Sequence, residues 1–206
     1  MKVVTHNLAA DPPEGVYKSR SARRPRRAPV RQDTREEDHP MTAEEVKKLL
    51  NLEPHPREGG WFRRTWQSSE ILSTLPARYP SPRRTSTAIF YLLEPNTFSE
   101  MHLLQSDEIF HFYLGDPVQM LQLHPDGHGE TLFIGPDLLA GHRPQIVVPR
   151  GVWQGTRLVP GGSWALLGCT VSPGFEYEDY TSGDRATLSA RWPTFAALIA
   201  QLTREP

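Results

Sequence analysis

The chain has 206 residues, enough for one domain with a core plus a tail, and its twenty prolines and fifteen glycines favour short strands joined by turns. A net charge of −1 hides an asymmetry, because residues 1–40 hold nine Lys/Arg against six Asp/Glu while the remainder holds 14 against 18. No run approaches the ~18 apolar residues of a membrane span, Met1–Ala10 lacks a signal peptide's apolar core, and the lone Cys169 excludes an internal disulfide and a cysteine-rich metal site, so a reducing cytoplasm is the expected home.

Tyr17–Arg35 carries seven arginines interleaved with Pro25 and Pro29 and almost no apolar residues. Such a segment cannot bury enough surface to offset its ordering entropy, so residues 1–40 are expected to be a disordered Arg/Pro-rich tail. It could serve as an arm for nucleic acid. The acidic domain behind it has no second basic patch and the tail no interleaved aromatics, which argues against a nucleic-acid partner. At Met41 the pattern changes: Thr42-Ala43-Glu44-Glu45 is a capping box, and Val46, Leu49 and Leu50 follow at helical spacing. Translation starting at Met41 is an expectation of this pattern.

The domain is then expected over residues 41–206. Pro54–Gly60 is a turn-rich link, and Trp61–Gln67 reads as a strand rich in aromatics and Thr. Ser81–Arg84 reads as a loop and Thr87–Leu93 as a buried strand. Ile109–Leu114, Val118–Leu123, Glu130–Ile134, Gln145–Val148, Gln154–Val159 and Trp164–Val171 follow as strands, with Pro125-Asp126-Gly127 turning a hairpin. Pro193 opens a helix over Thr194–Leu202, with Phe195, Leu198, Ile199 and Leu202 on one face. Helix, all-β body, helix implies a sandwich or barrel.

His102, Glu108 and His111 fall within ten residues of one another. Strand alternation puts Glu108, Phe110 and Phe112 on one face and Ile109, His111 and Tyr113 on the other. A carboxylate among phenyl rings is costly to bury alone. It needs a cation, a donor, a metal or a ligand, and without a cation its pKa rises into the range of acid–base chemistry. An ion pair with Arg63 or Arg64 is the structural alternative. Gln145 and Gln154 read as amide donors and acceptors, with Trp153 and Gln154 on opposite sides. Tyr91 sits mid-strand. Cys169 reads as a small buried hydrophobe rather than a nucleophile. His124, His128 and His142 read as solvated loop histidines, and Glu176, Glu178 and Asp179 as a solvated acidic rim.

Two stretches resemble the paired motifs of the cupin superfamily. His102, Glu108 and Gly115 take the spacing of the first motif, and Pro149-Arg150-Gly151-Val152-Trp153-Gln154 that of the second. Ser106–Tyr113 with Gly115-Asp116-Pro117, Gly168–Phe175, and Leu52–Pro56 with Gly59–Arg63 resemble the DUF985 (Cupin_5) group of uncharacterised function. The resemblance implies a mostly-β fold, the cupin double-stranded β-helix (jelly-roll barrel) with flanking N- and C-terminal helices. It also implies a homodimer and a small organic ligand. Together with the reading of the residues, the expected pocket residues are Tyr91, His102, Glu108, Phe110, Phe112, Gln145 and Gln154, with His102 and Glu108 as candidate catalytic groups. Metal-binding cupins use two His and a Glu, then a third His. Here the second His position is Leu104, the last is Gln154 and the leading Gly is Asn96. His102, Glu108 and Gln154 are thus a weak set for a divalent metal, and no cofactor is expected. The expected function is small-molecule binding. An isomerase resembling the sugar-nucleotide epimerases, using His102, Glu108 and Tyr91 or Tyr113, is an alternative. A metal-dependent oxygenase or isomerase is another, and a nucleic-acid accessory role a further one.

Overall fold

A computed structural model describes residues 40–204. The Arg-rich tail lies outside them. Helix α1 (Ala43–Leu50) starts with the expected box: Thr42 accepts from the Glu45 backbone and the Glu45 side chain accepts from Thr42 N at 2.8 Å. Next come β1 (Glu53–Pro54), β2 (Trp61–Gln67), β3 (Ile71–Leu72), β4 (Arg83–Arg84) and β5 (Thr87–Leu93). Then follow β6 (Phe98–Leu104), β7 (Asp107–Gly115), β8 (Val118–Leu123), β9 (Gly129–Ile134), β10 (Gln145–Val148), β11 (Trp153–Leu158) and β12 (Ala165–Ser172). A single turn at Tyr177–Asp179 leads to β13 (Tyr180–Ser182), α2 (Arg185–Arg191) and α3 (Ala196–Gln201). The last helix is shorter than expected, because Pro193–Phe195 forms a tight 3₁₀ turn before it. Among the described residues no helix is long and apolar enough to cross a membrane.

The strands form a six-stranded sheet, β1-β2-β5-β12-β7-β10, and a five-stranded sheet, β13-β6-β11-β8-β9. Every pairing within these sheets is antiparallel and the crossovers are long, the jelly-roll arrangement. The two sheets do not join into one closed barrel. Tyr91, Leu93, Phe110 and Leu167 of the first sheet meet Val118, Met120, Leu132 and Ile134 of the second in one core. Period-2 alternation explains the outer faces. Phe90, Leu92 and Leu166 point the other way and pack beneath Val46 of α1. Met101, Leu121 and Leu123 do the same beneath Leu188, Trp192, Ile199 and Leu202 of the C-terminal helices. Each sheet therefore has helix on its outer side and leaves one end of the sandwich to loops.

The expectation of a solvated acidic rim fails at Asp179. Its side chain is 2% exposed and takes Arg83 in a two-pronged ion pair, Nε–Oδ2 2.7 Å and Nη2–Oδ1 2.8 Å. Arg83, expected in a loop, belongs to β4 and is 1% exposed. A buried guanidinium demands a carboxylate, and the turn at Tyr177–Asp179 delivers one. Glu178 adds a half-exposed contact to the same arginine at 3.1 Å.

Candidate functional site

The loop between β1 and β2 closes the open end. Gly59 has φ +103°, and a Cβ there would sit 2.3 Å from Phe98 O, so only glycine lets the loop lie against β6. His55 N donates to Gly60 O at 3.0 Å, Glu100 N to Glu58 O at 3.0 Å, and the Tyr91 hydroxyl to Gly59 O at 2.8 Å. These bonds hang His55 and Glu58 over a small cavity of about 40 Å³ that opens to solvent. His55, Glu58, His102, Glu108 and Cys169 supply its buried polar groups, and Phe62, Ile89, Leu104, Val171 and Phe175 its apolar walls. Tyr177 and Arg64 stand with them.

A bulge aims the polar groups. Between the pairs His102–Gln154 and Ser99–Thr156, β6 has one residue more than β11. The extra residue reverses the alternation, so Ser99 and His102, three apart, serve the same side. Ser99 Oγ donates to Glu58 Oε1 in a short hydrogen bond. His102 Nδ1 lies 2.7 Å from Glu100 O. A carbonyl only accepts, so Nδ1 carries the proton and Nε2 is an acceptor. The Gln154 amide donates to that Nε2 at 3.2 Å and also, over a short contact, to Glu108 Oε2. Tyr180 stacks on the His102 ring at 4.8 Å and donates its hydroxyl to Glu100 at 2.9 Å.

Burial, with the Glu58 charge adding to it, pushes the Glu108 carboxyl up from 4.5 to about 7. His102, the Gln154 amide and Cys169 pull the other way but lose. Burial also drives the Cys169 thiol well above its ordinary value, which favours its protonated form. His55 is lowered by burial, against the pull of Glu58. Its Nδ1 accepts from Glu58 N at 2.8 Å, which leaves the proton on Nε2, 3.8 Å from the Glu58 carboxylate.

Of the residues expected here, His102 and Glu108 line the cavity. Gln154 stands behind them, bridging β6 and β7 across the sandwich, and its Oε1 is buried without a hydrogen-bond partner. Trp153 packs outward beneath the helices, as alternation requires. Arg63 and Arg64 are not partners of Glu108: Arg63 lies over Phe90 at 5.6 Å and Arg64 bonds Gln67 at 2.9 Å. Four expectations need correction. Tyr91 is fully buried and braces the loop from below rather than facing the cavity. Phe110 and Phe112 share a face with Glu108, but lie deeper along β7 in the core. Gln145 faces out, because Ile146 and Val148 of β10 fill the inside; its amide meets His111 Nδ1 at 3.3 Å. Tyr113 is 45% exposed on the outer face. The tyrosine at the cavity is Tyr177. His55, Glu58 and Tyr177 were not singled out from sequence, and Cys169 was read only as a core filler. A His and a Glu three apart in a glycine-bounded turn were the available signal.

The family model described as Cupin superfamily (DUF985) matches residues 44–182. The chain belongs to this cupin family. An uncharacterised protein, YML079W of Saccharomyces cerevisiae (strain ATCC 204508 / S288c), is 31% identical over 135 residues, 61% of this chain and 67% of the relative. The crystal structure of protein SO0799 from Shewanella oneidensis is similar with a TM-score of 0.71 and 32% identity, covering 81% of this chain and 99% of that one. A hypothetical protein from Leishmania major has a TM-score of 0.73 at 29% identity, covering 80% of this chain and 100% of its own.

Many cupins hold a divalent metal, and the donor set here does not fit one. The residue at the second histidine position, Leu104, is a wall of the cavity. The Gln154 amide nitrogen, a donor with no lone pair to give, faces both remaining ligand atoms, His102 Nε2 and Glu108 Oε2. In this cupin an amide occupies the place between them that a cation would need.

Proposed function

We propose that this cupin binds a small organic molecule in the cavity under the His55–Gly60 loop, without a metal, and exchanges a proton with it through Glu108. One observation carries the reading: a carboxyl held near pKa 7 lies at a mostly apolar cavity, with its geometry set by Gln154 and His102. Near neutral pH such a group is present in both forms, so it can donate or accept. His102 Nε2 is committed to Gln154, and it orients the pair rather than taking the proton first. The apolar walls suit a ligand with an apolar body, and His55, Glu58, His102 and Glu108 suit one polar end.

The isomerase reading loses its expected second acid, because Tyr91 and Tyr113 do not reach the cavity. Tyr177 is the residue that could take that place. The test is native mass spectrometry of the purified chain. A small molecule should travel with the parent, and the fraction occupied should fall sharply in Glu108→Gln and change across pH 7. Equal occupancy in parent and variant at every pH would remove Glu108 from the function.

A further inference from the structure

We propose that the β8–β9 hairpin carries a transition-metal site of the zinc class, built from His124, His128 and Glu130, outside the cavity. One donor atom from each of the three lies within 4.8 Å of the others. They come together for a local reason. His124 pairs with His128 across the turn, with His124 N donating to His128 O at 2.8 Å. Glu130, the second residue of β9, follows two residues after His128. The turn is braced by Gly127 N to His124 O at 3.0 Å and His128 N to Asp126 Oδ1 at 2.9 Å, with Gly127 at φ +93°. The three side chains therefore project from a stiff frame.

A second observation points to a ligand. His124 Nε2 is buried and makes no hydrogen bond. It faces Glu130 Oε1 at 3.5 Å, too far for a good hydrogen bond. Zinc bonds of ~2.0–2.2 Å at the tetrahedral angle place two donors about 3.4 Å apart. The spacing that is poor for a hydrogen bond is thus the spacing of two ligands on one ion. His128 is exposed, with its ring centroid 5.2 Å from that of His124, and can turn to supply the third donor. Two imidazoles and a carboxylate suit zinc, nickel or copper, with solvent completing the shell. The expectation of solvated loop histidines fails at His124, which is only 23% exposed. The hairpin packs against Phe195 beside α3, so an ion there would tie the β8–β9 edge into one unit.

The experiment is titration of the metal-stripped full chain with zinc chloride, read by calorimetry and by melting temperature. The parent should bind one equivalent at the hairpin and melt higher with zinc. His124→Ala/His128→Ala should lose that equivalent and the thermal shift, while Glu108→Gln keeps both. His128→Asn, at an exposed position that leaves His124 in place, should weaken binding by at least the ~10–100-fold that loss of an outer supporting group costs. A parent that binds no zinc, or a double variant that binds as much as the parent, overturns the proposal.

Discussion

Glu108→Gln should make the protein more stable in alkali while impairing its cavity. The native carboxyl is raised from 4.5 to about 7 by burial and by Glu58. The folded chain therefore holds this proton more tightly than the unfolded chain. Its contribution is fully present below about pH 4.5 and is lost as pH rises to about 7. At ~1.4 kcal/mol per pH unit, that loss comes to about 3 kcal/mol at pH 8. Glutamine resembles the protonated acid and can accept from Gln154 as Glu108 does, but it never ionises. Urea unfolding of parent and variant should agree to within about 1 kcal/mol at pH 4.5, the usual cost of a conservative swap. The variant should then gain steadily to about 3 kcal/mol at pH 8, with an unchanged urea slope. Titrating groups remote from Glu108 cancel in the difference, and Glu58, His102 and Cys169, which interact with it, contribute to the measured slope. A difference that is flat with pH, or a variant less stable at pH 8, would refute the raised carboxyl and with it the acid–base reading.

Asp179→Ala should destabilise the fold by about 3 kcal/mol in denaturant titration, because it leaves the buried Arg83 guanidinium with only the half-exposed Glu178 as a carboxylate partner; a cost under 1 kcal/mol would mean that Glu178 and water replace the pair. Cys169 should resist thiol reagents at pH 8 in the native state and react fully in urea, since its thiol is buried and held protonated. Complete native labelling within seconds would contradict that burial. Gly59→Ala should cost about 1–3 kcal/mol from strain at φ +103° and from the clash with Phe98 O. It should also reduce cavity occupancy by moving His55 and Glu58; unchanged stability and occupancy would mean the loop does not close the site.

The β body was legible because most long strands announce themselves with β-branched or aromatic runs and a turn after them. β5, β8, β9 and β10 lie within a residue of their expected bounds. β6 was not legible. Its bulge breaks the alternation that reveals strands, and Glu100 and His102 interrupt what remains. α2 escaped for a different reason: Leu188 is its only fully buried residue, so it has no apolar stripe, and its start depends on the Asp184 cap. Asp179 was misread because a short acidic run looks solvated until its partner, Arg83, is known to be buried 96 residues away.

The site divides along the same line. His102, Glu108 and Gln154 could be grouped from motif spacing, because the spacing within each motif is a sequence property. What they do to one another is not. The Gln154 amide meets Glu108 only because β11 and β7 lie in opposing sheets, and its donor faces inward only because alternation sends Trp153 out. That contact decides the chemistry, since a histidine at position 154 would offer a lone pair where this chain offers N–H. His55 and Glu58 follow the same rule, for their loop is held at the cavity by two bonds from distant strands, the Glu100 backbone on β6 and the Tyr91 hydroxyl on β5. Glu108 thus meets an amide donor from Gln154 rather than a full positive charge, and burial outweighs that donor in pushing its carboxyl up to about 7.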